Sequence, residues 1–362
     1  MSGAAWEEGR ERVGISGQAT GGAVGGLTLQ ILPAPAGSMP NTPDQAMPMI
    51  ELIAAVIGEG APDPRTRLAA AALHRRGLAA FLGPQVRWGR PVVSRALPRP
   101  LSVAGPGGVP QAPSGDFPAG HLTAQVRLDI VEAFSRRLAH RVSECLLSGA
   151  LPLVIGGDHS CAIGTWSGVA RVTGAGRLGL LWIDAHLDAH VPATSPSHMP
   201  HGMPLAALLG EGPTALTHLA GAPPVLDAAR VVVLGARSWE VPETQRLSQR
   251  GVRVISAQEV RARGLTVCLV EALKRVRGEP GGVWGLSLDV DAVDPVDLPA
   301  TGTPVPEGLS LSGLCEGLRG IVQREGLKAI EIAEYNPRLD PGCVSARRLI
   351  DLIAALLLRA PP

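Results

Sequence analysis

Short apolar runs alternate with amphipathic segments from about residue 121 to the C-terminus. Runs of this length, rich in Val, Ile and Leu, are typical of buried strands; they cover residues 151–157, 178–186, 230–237, 252–256, 283–291 and 327–335. Between them, helices are predicted over 121–149, after His159, over 265–278 and 312–326, and from Ser345 onward. Strands that alternate with helices form parallel sheets with helices on both faces. The pattern therefore predicts an α/β fold with a mainly parallel sheet.

The chain has 362 residues, of which 45% are hydrophobic, enough for a sizeable core. Residues 1–26 are rich in glycine and are predicted to be a flexible tail, which leaves residues 27–362 as a single domain. The Pro- and Gly-rich segment 96–120 is interpreted as a surface loop of that domain rather than a boundary.

Charge and cysteine content narrow the class of protein. The 33 basic residues nearly cancel the 32 acidic ones, so no strong field favours nucleic acid or an anionic membrane. The five cysteines are scattered and lack the spacing of a zinc or redox motif, which indicates a reducing compartment. The sequence shows neither a membrane-spanning run nor a signal peptide, so a cytoplasmic protein is predicted.

Ionisable residues gather where three of the predicted strands end. The block LWIDAHLDAH (181–190) places aspartates and histidines at every second position, and VIGGDHS and LSLDVDAVDP follow two other strands. Alternate residues of an extended segment share one face, and ligands of parallel sheets bind at the carboxyl ends of the strands. The predicted convergent set is His159, Asp184, His186, Asp188, Asp289 and Asp291.

Any one of these residues alone would be read as a helix cap or a hydrogen-bonded polar residue. Four carboxylates brought together would instead cost several kcal/mol each, roughly, without cations to neutralise them. Their charge matches two divalent ions, and an oxygen-rich set without thiolates favours Mn²⁺ over structural zinc. The prediction is a binuclear manganese site, bridged by an aspartate, whose shared water ionises near neutral pH. The resulting negative charge suits a cationic substrate such as a guanidinium.

Three blocks of the sequence resemble the signature motifs of the arginase/agmatinase ureohydrolases. They are GGDHS (156–160), DAHLDAH (184–190) and the segment 287–310. The resemblance extends from about residue 150 to the C-terminus, and the six residues predicted above match the metal-ligand positions of the family. It implies a three-layer α/β/α fold, two Mn²⁺ ions per subunit and a homotrimer or homohexamer.

The resemblance also implies catalytic roles. His201 would be the proton shuttle to the leaving amine, and Asp188 would also hold the attacking hydroxide. Glu334 would bind the substrate guanidinium through a bidentate pair. Thr303 would line the pocket.

Further residues would bind the other end of the substrate. Ser197 is expected at the α-carboxylate, and Glu240 and Glu243 at the α-amino group; the alternative for both glutamates is a surface helix start. His190 and Met199 stand where many arginases have asparagine. Met199 offers no donor, a loss of roughly 1.5 to 3 kcal/mol, whereas His190 is expected to compensate as a donor.

The loop 194–210 favours the arginase branch, because agmatinases usually carry an acidic residue before its His-Gly pair and this chain has none. The predicted reaction is hydrolysis of L-arginine to L-ornithine and urea. Two alternatives stay open: a ureohydrolase for agmatine, guanidinobutyrate or another guanidino compound, and a weakly active paralogue that regulates a partner. Residues 31–45 only loosely resemble the first strand and loop of the family.

Overall fold

The computed structural model of the chain describes residues 48–94 and 122–357. Outside these ranges lie the predicted tail 1–26, the start of the domain at residue 27, the segment 31–45 and the whole 96–120 loop.

The described strands form one sheet in which every pair of neighbours is parallel. The strands are β1 (Ile50–Val56), β2 (Val86–Trp88), β3 (Val92–Val93), β4 (Leu151–Ile155), β5 (Leu178–Ile183), β6 (Leu226–Ala236), β7 (Arg253–Ser256), β8 (Val283–Asp289) and β9 (Leu327–Ala333). Their order across the sheet is β2-β1-β4-β9-β8-β5-β6-β7, and β3 pairs with the end of β1. The six predicted strands correspond to β4 through β9.

Helices lie between successive strands and after the last one. They are α1 (Ala69–Arg75), α2 (Leu78–Leu82), α3 (Ala124–Leu147), α4 (Cys161–Thr173), α5 (Pro204–Leu208), α6 (Thr214–Thr217), α7 (Val241–Gln249), α8 (Ala257–Arg263), α9 (Leu265–Arg277), α10 (Leu311–Gly317) and α11 (Val344–Leu357). In this part of the chain, no helix is long and apolar enough to cross a membrane.

Each face of the sheet packs against its own layer of helices. On one face, Leu153 and Leu181 join a core cluster with Ile353 of α11. On the other face, Val154 joins a second cluster with Phe134 of α3. Adjacent strand residues thus point into different cores, as period-two alternation requires. The predicted three-layer α/β/α fold, a parallel sheet between two layers of helices, is confirmed.

The sequence predictions did not include the elements before residue 95, β1 to β3 with α1 and α2, and one predicted helix is interrupted. Strand β1, the run IELIAAV, was not predicted, because a short apolar run does not distinguish a buried strand from a buried helix by periodicity. The helix predicted over 312–326 is interrupted: α10 ends at Gly317, and only a 3-10 turn follows at Ile321–Gln323. Gly320 adopts a left-handed φ of 67° between them, which ends the α-helical path.

Candidate metal centre and active site

The central strands of the sheet deliver the candidate site. His159 follows β4, Asp184 follows β5, Asp289 ends β8 and Glu334 follows β9. These strands are consecutive in the sheet order β4-β9-β8-β5, and all run in the same direction. Their carboxyl ends therefore meet at one edge, where parallel sheets bind their ligands.

His159 lies at the centre of the first group of candidate ligands. Its buried Nδ1 is 3.2 Å from Oδ2 of Asp184 and 3.1 Å from Oδ2 of both Asp188 and Asp289. Among the described residues this nitrogen has no partner with hydrogen-bond geometry. A buried imidazole nitrogen faced by three carboxylate oxygens is a donor set for a cation.

His186 belongs to a second group that adjoins the first. Its Nδ1 is 3.1 Å from Oδ2 of Asp291 and 3.6 Å from Oδ1 of Asp184. The possible ligand atoms of His159, Asp184 and Asp289 lie within 4.8 Å of one another, and so do those of Asp184, His186 and Asp291. Asp184 therefore belongs to both groups. One carboxylate shared between two ligand groups is the arrangement of a binuclear site with a bridging aspartate.

The local backbone explains this convergence differently from the predicted extended alternation. Strand β5 ends at Ile183, and the DAHLDAH block that follows is a loop. Asp184 Oδ1 accepts a hydrogen bond from the His186 backbone N–H at 2.7 Å, and Asp188 adopts a left-handed φ of 47°. Asx-type turns and a positive φ, rather than a strand pleat, fold the block back on itself.

Among the protein groups alone, the cluster is electrostatically strained. Burial, and then the charges of Asp291 and Asp184, raise the pKa of Asp289 well above its ordinary value. Burial, and then the charge of Asp184, raise the pKa of Asp188 to about 7. Burial lowers the pKa of His186, but the opposing charge of Asp291 and the bond to Asp184 raise it to about 12. The cluster is acidic enough that divalent cations fit it.

We expect manganese to stabilise the folded protein, because the cluster exists only in the native state. Bound cations would also relieve the repulsion between its carboxylates. Free Mn²⁺ at a hundred times its Kd should add about 2.7 kcal/mol to the free energy of unfolding. Differential scanning fluorimetry should show a saturable rise in Tm that EDTA reverses. A Tm indifferent to both Mn²⁺ and EDTA would contradict a cation site here.

Residues behind His159 fix its ring, and these were not predicted from the sequence. Nε2 of His159 is 3.0 Å from Oγ of Ser287, which in turn donates to Oε1 of Glu331 at 3.1 Å. The Trp182 indole stacks on the imidazole, with the ring centroids 4.2 Å apart, and its N–H donates to Oδ2 of Asp184. Such supports hold a ligating histidine in one orientation. A carboxylate inside the apolar strand β9, Glu331, was the available sequence signal.

Glu334 and His201 form a pair beside the cluster. Glu334 is buried, adopts a φ of 66°, and its Oε1 accepts from the backbone N–H of His159 and lies 3.0 Å from Nδ1 of His201. Burial lowers the pKa of His201, but the bond to Glu334 and its charge raise the pKa to about 9. The bond to Glu334 thus favours the protonated form of the His201 imidazole, which can donate a proton.

Asp158, the acidic residue of the GGDHS block, is buried, and its carboxylate accepts hydrogen bonds from two backbone N–H groups. Its Oδ2 accepts from the Gly60 N–H at 2.9 Å, and its Oδ1 accepts from the Ser160 N–H at 3.1 Å. The Gly60 carbonyl in turn accepts from the His201 N–H at 3.1 Å. Asp158 thus connects the loop after β1 to the segment that carries His201.

Ser197 and Thr303 occupy different surroundings. Ser197 is exposed; its Oγ accepts from the Met199 N–H at 3.3 Å and lies 3.4 Å from Oγ of Ser195. The Thr303 hydroxyl donates to Oδ2 of Asp291 at 2.8 Å. Thr303 therefore supports a candidate metal ligand as well as lying at the site.

His190, Glu240 and Glu243 come together next to this loop. His190 Nε2 is 2.9 Å from Oε2 of Glu240 and 3.3 Å from Oε2 of Glu243, and its Nδ1 is 3.1 Å from Oγ1 of Thr194. Both ring nitrogens thus have protein partners, which opposes the predicted role of His190 as a donor to the substrate carboxylate. Glu240 precedes α7 and forms a capping box with Glu243, so the helix-start alternative also describes them.

The fold and the cluster define an α/β protein built around a candidate pair of cations at the carboxyl edge of its sheet. The family model described as the arginase family matches residues 113–358. The chain belongs to the arginase family and is a ureohydrolase enzyme of that family.

Individual relatives agree with this assignment. The chain is 37% identical over 250 residues to an arginase of Bacillus caldovelox, covering 67% of this chain and 83% of the relative. The crystal structure of an arginase from Bacillus subtilis aligns with a TM-score of 0.72 at 29% identity, over 87% of this chain and 100% of that one. An Entamoeba histolytica arginase in complex with L-ornithine aligns with a TM-score of 0.71 at 26% identity, over 85% and 97% of the two chains.

Proposed function

We propose that the protein hydrolyses L-arginine to L-ornithine and urea with two Mn²⁺ ions per subunit. The observation that carries the proposal is the pair of ligand groups sharing Asp184, beside the Glu334–His201 pair. Relatives named arginase, and one solved with L-ornithine, support arginine as the substrate.

Two groups of residues would hold the ions, with Asp184 common to both. The first is His159, Asp184, Asp188 and Asp289, and the second is Asp184, His186 and Asp291. Carboxylates and imidazoles without thiolates favour manganese among the common divalent ions. When bound, such a pair of ions supplies a water activated for nucleophilic attack at neutral pH.

Protein groups would supply the remaining requirements of the reaction. Glu334 is a buried carboxylate that can pair with the planar guanidinium of a substrate, and its position fixes the carbon that is attacked. Hydrolysis breaks a carbon–nitrogen bond, so the departing amine needs a proton. The His201 imidazolium, held by Glu334, would deliver it from the ring.

The test compares initial rates of urea release from L-arginine, agmatine and 4-guanidinobutyrate by the Mn²⁺-loaded protein. We expect the highest kcat/KM on L-arginine. Faster turnover of agmatine or 4-guanidinobutyrate would contradict L-arginine as the substrate and assign the faster compound instead. Full manganese occupancy without urea from any of them would favour the regulatory paralogue.

We also propose that the protein is cytoplasmic and forms a homotrimer or homohexamer through its own copies. Light scattering of the eluting protein would measure the mass of the assembly, and a monomer would contradict the oligomer.

A further inference from the structure

His190 faces Glu240 and Glu243, the two glutamates that the family resemblance assigns to the amino group of the substrate. From its contacts we infer that His190 is a specificity-determining residue: its ring bonds to the accessible carboxylate of Glu240 and so weakens binding of substrates that carry an amino group. The inference rests on the proposed function, which supplies the reaction and the substrate.

Both carboxylate oxygens of Glu243 already accept hydrogen bonds from the protein. Its Oε1 accepts from the Ala189 backbone N–H at 3.0 Å, and its Oε2 accepts from the Glu240 backbone N–H at 2.9 Å. The same Oε2 lies 3.3 Å from Nε2 of His190, and the residue is only 3% exposed. A buried carboxylate engaged at both oxygens holds the loop and the helix start in place. Glu243 is therefore a positioning residue.

Glu240 is the carboxylate that remains accessible. Its side chain is 55% exposed, and its Oε2 is 2.9 Å from Nε2 of His190. An ammonium group that approaches Glu240 must share this oxygen with the imidazole N–H or take the other one alone. Hydrogen bonds to a charged acceptor are among the stronger ones, so this competition has a measurable effect on binding.

The ring of His190 is held in this competing position. Its Nδ1 is bonded to Oγ1 of Thr194, and its backbone N–H donates to the Gly202 carbonyl at 3.0 Å, one residue after His201. The cluster thus lies next to the proposed proton donor, but among the described residues its side chains share no hydrogen bond or ion pair with Glu334 or His201. From this placement we expect substitution of His190 to change binding of the amino-group end of the substrate and to leave the bond-breaking step unchanged.

Two substitutions distinguish competition by His190 for Glu240 from a purely structural role of His190. His190→Ala removes the competing donor, whereas His190→Gln keeps an N–H donor of similar reach. For L-arginine we expect His190→Ala to lower KM by about threefold to tenfold, with the effect in KM rather than kcat, and His190→Gln to restore most of the difference. For 4-guanidinobutyrate, which has no amino group, His190→Ala should not lower KM. His140→Asn, which removes an exposed His–Glu pair on α3, is the matched control.

Binding of L-ornithine to the Mn²⁺-loaded protein, measured by calorimetry, gives a readout that needs no turnover. A tighter Kd for His190→Ala than for the unsubstituted protein supports the inference. A higher KM for L-arginine, a weaker Kd for L-ornithine, or an equal fall in KM for 4-guanidinobutyrate would overturn it. Absence of urea release from arginine by the unsubstituted protein would instead refute the proposed function, and the ornithine titration would still report on His190.

Discussion

Replacing Asp184 with asparagine is expected to abolish binding of the metal pair and to lower kcat/KM by about a thousandfold or more, ~4 kcal/mol of transition-state stabilisation. Asp184 is the one carboxylate common to both candidate ligand groups. Its two oxygens also face His159 and His186 separately, so one substitution weakens both groups. Elemental analysis of the purified variant, followed by a urea assay with L-arginine, measures both effects.

The matched control for this variant is Asp129→Asn, which changes an exposed carboxylate on α3 that accepts from Gln125. It should keep two Mn²⁺ ions and normal urea release. Circular dichroism should show that both variants fold. If Asp184→Asn retained two tightly bound ions and full activity, the bridging role of Asp184 and the binuclear site built on it would be wrong.

Replacing His201 with alanine is expected to lower kcat by about a hundredfold to ten-thousandfold while leaving the manganese content unchanged. Burial lowers the pKa of His201, but the bond to Glu334 raises it to about 9 and so favours the protonated imidazole. Without this donor the leaving amine must take its proton from water. Steady-state kinetics on L-arginine and metal analysis of the same preparation separate the two quantities.

His198→Asn serves as the control for the His201 variant. His198 is exposed on the same loop, and its φ of 54° is one that asparagine adopts readily. Its kcat should match that of the unsubstituted protein. A His201→Ala variant with unaltered kcat would exclude proton donation by His201, and one that lost its manganese would show a structural role instead.

The strands that carry the site were predictable, and the first strand was not. β4, β5, β8 and β9 are bounded runs of apolar residues followed by polar blocks, so both their positions and the edge they share follow from sequence pattern. β1 is an apolar run that ends before Gly58 and carries one acidic residue, Glu51, but its short length leaves a strand and a buried helix equally open. That glutamate is buried against Arg141 and Arg87, partners that lie far along the chain or on another strand.

The supports of the site needed the folded chain. Ser287 pairs in register with Glu331 across β8 and β9, and only this pairing shows that a serine connects a buried glutamate to His159. Likewise, the spacing of His190 and Glu240, fifty residues apart, contains no sign that they meet. Contacts between distant segments depend on strand order and helix placement, which local patterns do not specify.

By itself, the sequence determined the class of fold, the ligand residues proposed for the metal pair and the family, because alternation of apolar runs and short polar motifs are local properties of the chain. Only the tertiary structure decided that Asp184 is shared by two ligand groups, that a positive φ at Asp188 and turns rather than a strand bring the second block together, and that His190 faces glutamates. The physical reason is that side-chain distances of 3 Å between residues remote in sequence are fixed by backbone geometry and packing across the whole sheet.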